Sequence, residues 1–320
     1  MKPDLPLVSV VVTTRNRPRL FAKALKSVQT QTYPRLEIIV VDDASRPGVQ
    51  SQVIRSFNPP VKYLRNTRNR GLAYSRNLGL KHSRGKYAAF LDDDDTWEPQ
   101  KIALQVELAR KSPNVAVISC AQTVFKTSGQ VYINHPVVQG RIKEAIVSGR
   151  FGTVPSSNLF SRSALIQVGG FDIRLTSHID YDIWMKLAQL GLSADYLDQP
   201  LVNTHDRGLP RMTADYTSRL AATDRYLSKW TPVWQSWIGV TATRIYLRRY
   251  YTYVVGWLAE EQFKRGKIGK GMTCLALIIR RYPTNITGLF IIPARCLALF
   301  CLRWIYLTFP VPRRFRLFTV

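Results

Sequence analysis

Residues 87–97 read YAAFLDDDDTW, an apolar run that ends in Asp92, Asp93, Asp94 and Asp95. Packed carboxylates repel, so four together cost free energy unless a cation offsets them. Oxygen donors alone suit a hard cation such as Mg²⁺ or Mn²⁺. Magnesium is commonly held by one or two carboxylates plus the phosphates of a substrate. The cluster therefore points to metal–phosphate chemistry. Asp92 and Asp94 have the alternate spacing expected to face a metal, while Asp95, just before TWEPQKI, suits the cap of the next helix.

Two other stretches carry related chemistry. In LEIIVVDDAS, the Asp42 carboxylate could accept hydrogen bonds from a ribose hydroxyl or a base N–H, leaving Asp43 or Ser45 to cap the following helix. In NRGLAYSRN, Arg70 and Arg76 are candidates for bidentate, charge-assisted phosphate contacts, although Arg76 also fits an ordinary basic helix start. Gly71 between them allows a close backbone turn. No Walker-type glycine loop and no G-x-G-x-x-G occurs, so P-loop hydrolysis and hydride transfer lose support.

The elements that must position these residues follow from periodicity. LVSVVVTT, LEIIVVDD, VKYLRN and KYAAFLDDDD are apolar strands. RPRLFAKALKSVQTQ repeats apolar residues at a helical period. PGVQSQVIRSF, GLAYSRNLGLKHS and PQKIALQVELARKS also read as helices. Such alternation argues for a mostly parallel sheet with helices on both faces. Ligands then bind beyond the carboxyl ends of the strands, where Thr13–Asn16, Asp42–Asp43 and Asp92–Asp95 would share one rim. Further on, VAVISCAQTVF and VYIN read as strands, Gly169–Gly170 as a turn and DYDIWMKLAQLG as a helix. Beyond Met212 the chain reads as mainly helical. The expected divisions are 1–112, 113–212 and 213–320.

In this order, VSVVVTTRNR, LEIIVVDDAS, NRGLAYSRN, KYAAFLDDDDTWEPQKI and DYDIWMKLA resemble the motifs of family 2 glycosyltransferases over residues 7–212. The resemblance implies an α/β fold of GT-A type, a Rossmann-like mostly parallel sheet flanked by helices. It also implies a nucleotide-diphospho-sugar donor, a glycan or lipid-linked acceptor, and a divalent metal, Mg²⁺ or Mn²⁺. Thr13, Arg15 and Asp42 match positions that hold the base and ribose. Asp92, Asp93 and Asp94 match the D-x-D region, with Asp94 the direct metal ligand and Asp93 placed to reach the donor's ribose or sugar. Asp180 matches the general base of inverting members, and His205 a late histidine that helps bind metal or diphosphate. The family commonly has Glu just before the base, whereas Ile179 stands here, which leaves Asp182 as a possible understudy. Trp184 is expected in the core.

The chain has 320 residues and a formal charge of +25, which implies a polyanionic neighbour. Fourteen Lys/Arg but only Glu260 and Glu261 lie in 241–320. Residues 286–309 are long and apolar, yet Pro293, Arg295 and Arg303 interrupt them. A helix lying in an anionic membrane interface fits better than a span. Cys120, Cys274, Cys296 and Cys301 lack metal-ligand spacing and read as free thiols in a reducing compartment. The N-terminus lacks a signal-peptide pattern. Together these suggest a cytoplasmic enzyme, peripheral on the inner membrane face. Two rivals are a nucleotidyltransferase, which the absence of glycine in TTRNRPRLF disfavours, and a non-enzymatic basic binding protein. The acids on the ligand rim oppose nucleic acid as a partner there.

Overall fold

The computed structural model describes residues 5–50, 61–112, 114–205 and 216–283. The chain forms two compact units, Met1–Tyr226 and Leu227–Val320. The boundary expected near 212/213 lies outside the described residues, whereas 1–112 and 113–212 build a single sheet within the first unit.

The strands are β1 (Val8–Thr14), β2 (Leu36–Asp42), β3 (Val61–Arg65), β4 (Tyr87–Asp92), β5 (Thr96–Trp97), β6 (Val115–Phe125), β7 (Val131–Asn134), β8 (Gly140–Arg141), β9 (Leu159–Ser161) and β10 (Ser193–His205). Their order is β3-β2-β1-β4-β9-β6-β10-β5, with β7 on β6 and β8 on β10. The β3-β2-β1-β4 neighbours are parallel, as are β6 and β10, while β9 runs antiparallel between β4 and β6. The helices of this unit are α1 (Pro18–Gln29), α2 (Leu72–His82), α3 (Lys101–Lys111), α4 (Ile142–Val147), α5 (Arg162–Gln167) and α6 (Ile179–Gln189). The helix expected over 47–57 falls largely outside the described residues.

Helices cover both sheet faces, as the unbroken burial of β1 requires. Val10 and Val12 share a core with Phe21, Leu25 and Val28 of α1 and with Ile102 and Val106 of α3. Val11 faces the other way, against α2. There Gly79 comes so close that a Cβ would lie 2.3 Å from Val11 Cγ1. Truncating a fully buried aromatic such as Phe21 to Ala would cost about 3–5 kcal/mol.

The sheet register aligns the strand ends. Thr14 pairs with Asp42, Thr13 with Asp92, and Asp42 with Arg65. Because β9 is antiparallel, the short 3₁₀ turn Pro155–Ser157 before it lies at the carboxyl ends of β4 and β6. After the four acids the chain does not enter a helix. It forms β5, whose Thr96 and Trp97 pair with Asn203 and Val202 of β10. Asp95 is therefore not a helix cap. Its N–H donates to the Asp92 carbonyl at 3.2 Å in a tight turn, and α3 starts only at Lys101.

α7 (Tyr216–Lys264) begins in the first unit and continues into the second, where α8 (Ile268–Arg281) follows. α7 is interrupted at Gly239, whose φ of 79° and ψ of 166° are not helical. Among the described residues no helix is long and apolar enough to cross a membrane. Residues 286–309 lie outside them. Cys120 and Cys274 are buried free thiols.

Candidate active site

The rim holds two clusters in which acids and arginines alternate. In the first, Asp93 Oδ2 accepts from Thr14 Oγ1 at 2.8 Å and from the Arg15 N–H at 3.3 Å. Arg17 Nη1 donates to Asp93 Oδ1 and to Asp94 Oδ2, each at 3.1 Å. Burial pushes the Asp93 carboxyl up to about 6, and Asp94 adds to this, although Thr14 and Arg17 oppose it. The buried Asp93 therefore organises the β1 loop in this structure. Asp94 is more open.

The second cluster is built on Arg76 of α2, whose side chain is only 1 % exposed. Its Nη2 donates to both Asp92 oxygens at 2.8 and 2.9 Å, and its Nη1 donates to Asp180 Oδ1 at 2.9 Å. Its Nε is buried without a hydrogen-bond partner, and its Cζ lies 5.3 Å from the Phe171 ring centroid in cation–π geometry. Asp180 stands in the first turn of α6, after His178 at the N-cap, so it is not itself the cap. Its side chain is 38 % exposed. Burial of the carboxyl raises its pKa and the negative Asp92 adds to that, while Arg76 opposes both; the net direction is upward. Asp182, by contrast, is fully buried and pairs with Lys186 at 3.5 Å, which removes it as a substitute base. Trp184 is buried, and a Cβ on Gly152 would collide with its ring, so it belongs to the core.

The acids after β2 behave differently. Asp42 is fully buried. Its Oδ1 accepts from the Ser45 N–H at 2.8 Å, and its Oδ2 accepts from Tyr63 Oη at 2.8 Å and the Val49 N–H at 3.3 Å. Burial alone would raise its pKa, but the bonds from Ser45, Tyr63 and Val49 outweigh it and hold the group below the usual carboxylate range. Any hydrogen bond that Asp42 would accept from a nucleoside competes with these. Asp43 accepts from the Arg70 and Gly71 N–H groups at 2.8 and 2.9 Å, fixing the turn into α2. The Arg70 guanidinium lies over the Tyr74 ring at 4.3 Å and is exposed. Thr13 is buried beside Asp92 in register, and the Arg15 side chain is exposed at the rim.

His205 ends β10, and its ring stacks on Phe125 at 4.9 Å. The β5–β10 pairing stops at Thr96–Asn203, two residues short of Asp94 on one strand and of His205 on the other. No group of three or more His, Cys, Asp or Glu side chains that could hold a metal occurs among the described residues. Asp92, Asp94 and His205 are thus not assembled as a ligand triad. Two half-buried carboxylates one residue apart nonetheless suit a hard cation whose remaining ligands are water and substrate phosphate.

Three further residues stand out in the structure. Arg17, two residues after Arg15 in TTRNR, is the arginine that reaches Asp93 and Asp94. Ser156 accepts from the Asp92 N–H at 3.4 Å. His178, two residues before Asp180, has a φ of 61°. Asn16, Ala44 and His178 are the non-glycine residues with positive φ among the described ones, and all lie in loops flanking these strand ends or Asp180. Such strain concentrates at functional sites.

The sequence profile described as glycosyl transferase family 2 matches residues 9–169, half of the chain. The chain belongs to glycosyl transferase family 2. This family 2 glycosyltransferase is 31% identical over 199 residues to an uncharacterized glycosyltransferase of Haemophilus influenzae, covering 61% of this chain and 67% of that one. It is 30% identical over 187 residues to the putative colanic acid biosynthesis glycosyl transferase WcaA of Escherichia coli, covering 57% of this chain and 66% of the relative. The match thus spans about two thirds of these relatives' length. Among solved structures, the mannosyltransferase PcManGT from Pyrobaculum calidifontis, in complex with GDP-Man and Mn²⁺, superposes with a TM-score of 0.59 at 20% identity, over 93% of this chain and 81% of that one. S. aureus TarS gives 0.53 at 18% identity, over 69% of this chain and 40% of that one. The GT-A architecture expected from the motifs is therefore the one observed.

Proposed function

We propose that this glycosyltransferase moves a sugar from a nucleotide-diphospho-sugar to an acceptor hydroxyl, with inversion and with the help of a divalent metal. One observation carries the reading. Arg76 ties Asp92, in the D-x-D stretch, to Asp180, a partly exposed carboxyl whose pKa is raised. A carboxyl shifted upward is a better proton acceptor than an ordinary aspartate. Asp180 takes the proton from the acceptor hydroxyl as its oxygen attacks the anomeric carbon. Arg76 fixes where that carboxylate stands and compensates its charge.

Mg²⁺ or Mn²⁺, when bound, would neutralise charge on the leaving diphosphate. Asp92 and Asp94 would hold it, with His205 near the diphosphate. Thr13 and Arg15 form the nucleoside side, with Asp42 holding the adjoining loop through the Ser45 and Val49 N–H groups, and Arg70 contacts phosphate. Asp93, through Thr14 and Arg17, holds the β1 loop against the acids on the side facing the donor's ribose or sugar.

A glycan or lipid-linked acceptor in envelope or extracellular polysaccharide synthesis agrees with the relatives. One of them, 33% identical over 106 residues, is named UDP-Glc:alpha-D-GlcNAc-diphosphoundecaprenol beta-1,3-glucosyltransferase WfgD. That match covers 33% of this chain and 42% of the relative. The basic charge supports a peripheral position on the cytoplasmic face of a membrane, while the acids on the ligand rim speak against a nucleic-acid partner there. A panel of UDP-, GDP- and dTDP-sugars with Mn²⁺, with and without EDTA, tests the reading. Turnover that ignores EDTA, or full activity of Asp94→Ala, would sink the metal-assisted mechanism.

A further inference from the structure

The second compact unit presents a surface that sugar transfer does not use. α8 packs one side inward through Gly271, Cys274 and Ile278. Its approach to the last turns of α7 is close: a Cβ on Gly271 would lie 2.7 Å from the Phe263 ring. The rotation of α8 about its own axis is therefore fixed. Its apolar face is wider than the part so covered. Ile268, Met272, Ala276 and Ile279 recur at helical spacing along one stripe and point outward. Ile268 and Met272 are each 55% exposed and Ile279 40%. The polar side of the helix carries Lys270 and Arg280, and Lys267 precedes its first turn.

The second half of α7 repeats the pattern independently. Ile245, Arg249, Tyr253 and Trp257 follow one another at four-residue steps and are exposed, Tyr253 by 74%. Residues 241–283 contain nine Lys/Arg against two acids. Both acids are already engaged, Glu260 with Lys264 at 2.9 Å and Glu261 with Arg265 at 3.4 Å.

We propose that these stripes on α7 and α8 are a docking surface for an anionic lipid bilayer, with Ile268, Met272, Ile279 and Tyr253 entering the interface and the flanking Lys and Arg contacting headgroup phosphates. Apolar side chains bordered by cations are what an interfacial helix requires. The other occupants fit less well on charge. A second copy would bring an equally basic face against this one. The rest of the chain, 284–320, has five arginines and no acid, so covering the stripe with it would add like charge. Nucleic acid would satisfy the cations but not the isoleucines and methionine.

The proposal rests on the peripheral location proposed above, not on the chemistry at Asp180. The test uses full-length protein and sedimentation with vesicles of phosphatidylcholine, with and without phosphatidylglycerol. Wild type is expected to bind the anionic vesicles and to be released by salt. The triple variant Ile268→Ser, Met272→Ser, Ile279→Ser and the charge variant Lys267→Glu, Lys270→Glu should each bind about tenfold more weakly. Tyr253→Ser, on the other helix, should give a smaller loss. Thermal melts report whether each variant is folded, and transfer to a water-soluble acceptor should be unchanged in all of them. Vesicle binding by the variants equal to wild type, or no binding by wild type, overturns the surface while leaving the transfer reading intact. A triple variant that binds vesicles normally but loses an oligomer on gel filtration assigns the stripe to a second copy instead. Absence of sugar transfer in wild type with normal vesicle binding strikes the functional reading alone.

Discussion

Two strands of this sheet end in aspartates, and the two ends differ. After β2, Asp42 and Asp43 are saturated. Strand β3 and the surrounding loops supply their hydrogen bonds, and Asp42 is held below the usual carboxylate range. After β4, Asp92 and Asp94 stay partly open, Asp93 is pushed up to about 6, and Asp180, reached through Arg76, is also shifted upward. An acid that ends a strand can thus serve the fold or the ligand. Exposure separates the two roles, and the two buried members differ in balance: protein donors outweigh burial at Asp42, whereas burial outweighs the donors at Asp93.

The sharpest way to break this division is Asp180→Asn. Loss of a general base typically lowers kcat by 10²–10⁴-fold, here with the melting temperature little changed, because Asn still accepts from Arg76. For wild type, the acid limb of the kcat profile should lie above the ordinary aspartate pKa of about 3.9, since the Asp180 shift is upward. Steady-state kinetics across pH measures both. An active Asp180→Asn enzyme would move Asp180 into the structural class.

Asp42→Ala probes the other side. It leaves the Ser45 and Val49 N–H groups and Tyr63 Oη without their acceptor, and each buried orphan costs about 1–3 kcal/mol. A loss of about 3 kcal/mol is expected in denaturant melts. The sign with pH follows from the lowered folded pKa. Asp42 contributes its stability above the unfolded pKa, and this is lost as pH falls through the lower folded value. Wild type and variant should therefore converge in acid. Normal stability with lost turnover would place Asp42 with the ligand-facing acids.

Much of this division was legible in the sequence, though not all. The apolar period of β1, α1 and β4 fixed which faces are buried, and strand–helix alternation placed Thr13, Asp42 and Asp92 on one rim. Period says nothing about loop hydrogen bonds. Arg15 and Arg17 are chemically equivalent in TTRNR, and only the turn after β1 decides which one reaches Asp93 and Asp94. Asp95 read as a cap because its partner strand, β10, lies some hundred residues away. Saturation of Asp42 depends on Tyr63, which local pattern does not connect to it.

His178 gives a smaller test of the same rim. Its left-handed backbone carries the start of α6, and its Nε2 lies 2.9 Å from Thr223 Oγ1. Its ring stacks on Tyr226 at 5.3 Å. Burial, with Arg219 adding to it, pushes its pKa down to about 3, so the ring acts as a neutral wedge. Asn tolerates this backbone and Ala does not, a difference of about 1–2 kcal/mol. His178→Asn should therefore retain more kcat than His178→Ala, with KM for the donor similar in both. Equal kcat in the two variants would detach the strain from the placement of Asp180.

The smallest effect concerns a buried charge away from the strand-end acids. Lys101 is fully buried in α3, donates to Gln105 Oε1 at 2.8 Å, and lies 4.1 Å from the Trp97 ring centroid. Burial lowers its pKa to about 8. Below that value the ammonium is charged in both folded and unfolded chains, and its desolvation penalty is fully present. Between about 8 and the unfolded value near 10.4 the unfolded chain binds more protons, so stability rises with pH. Lys101→Met keeps the volume and removes the charge, at the expense of the bond to Gln105. It should stabilise the protein by about 1 kcal/mol at pH 7 and by less at pH 10, with turnover unchanged. A variant less stable than wild type at pH 7 would mean that Gln105 and the Trp97 ring compensate the ammonium fully. An upward or downward shift would then mark only how a charge is solvated inside this fold, and the separation of the β2 and β4 acids would have to rest on exposure alone.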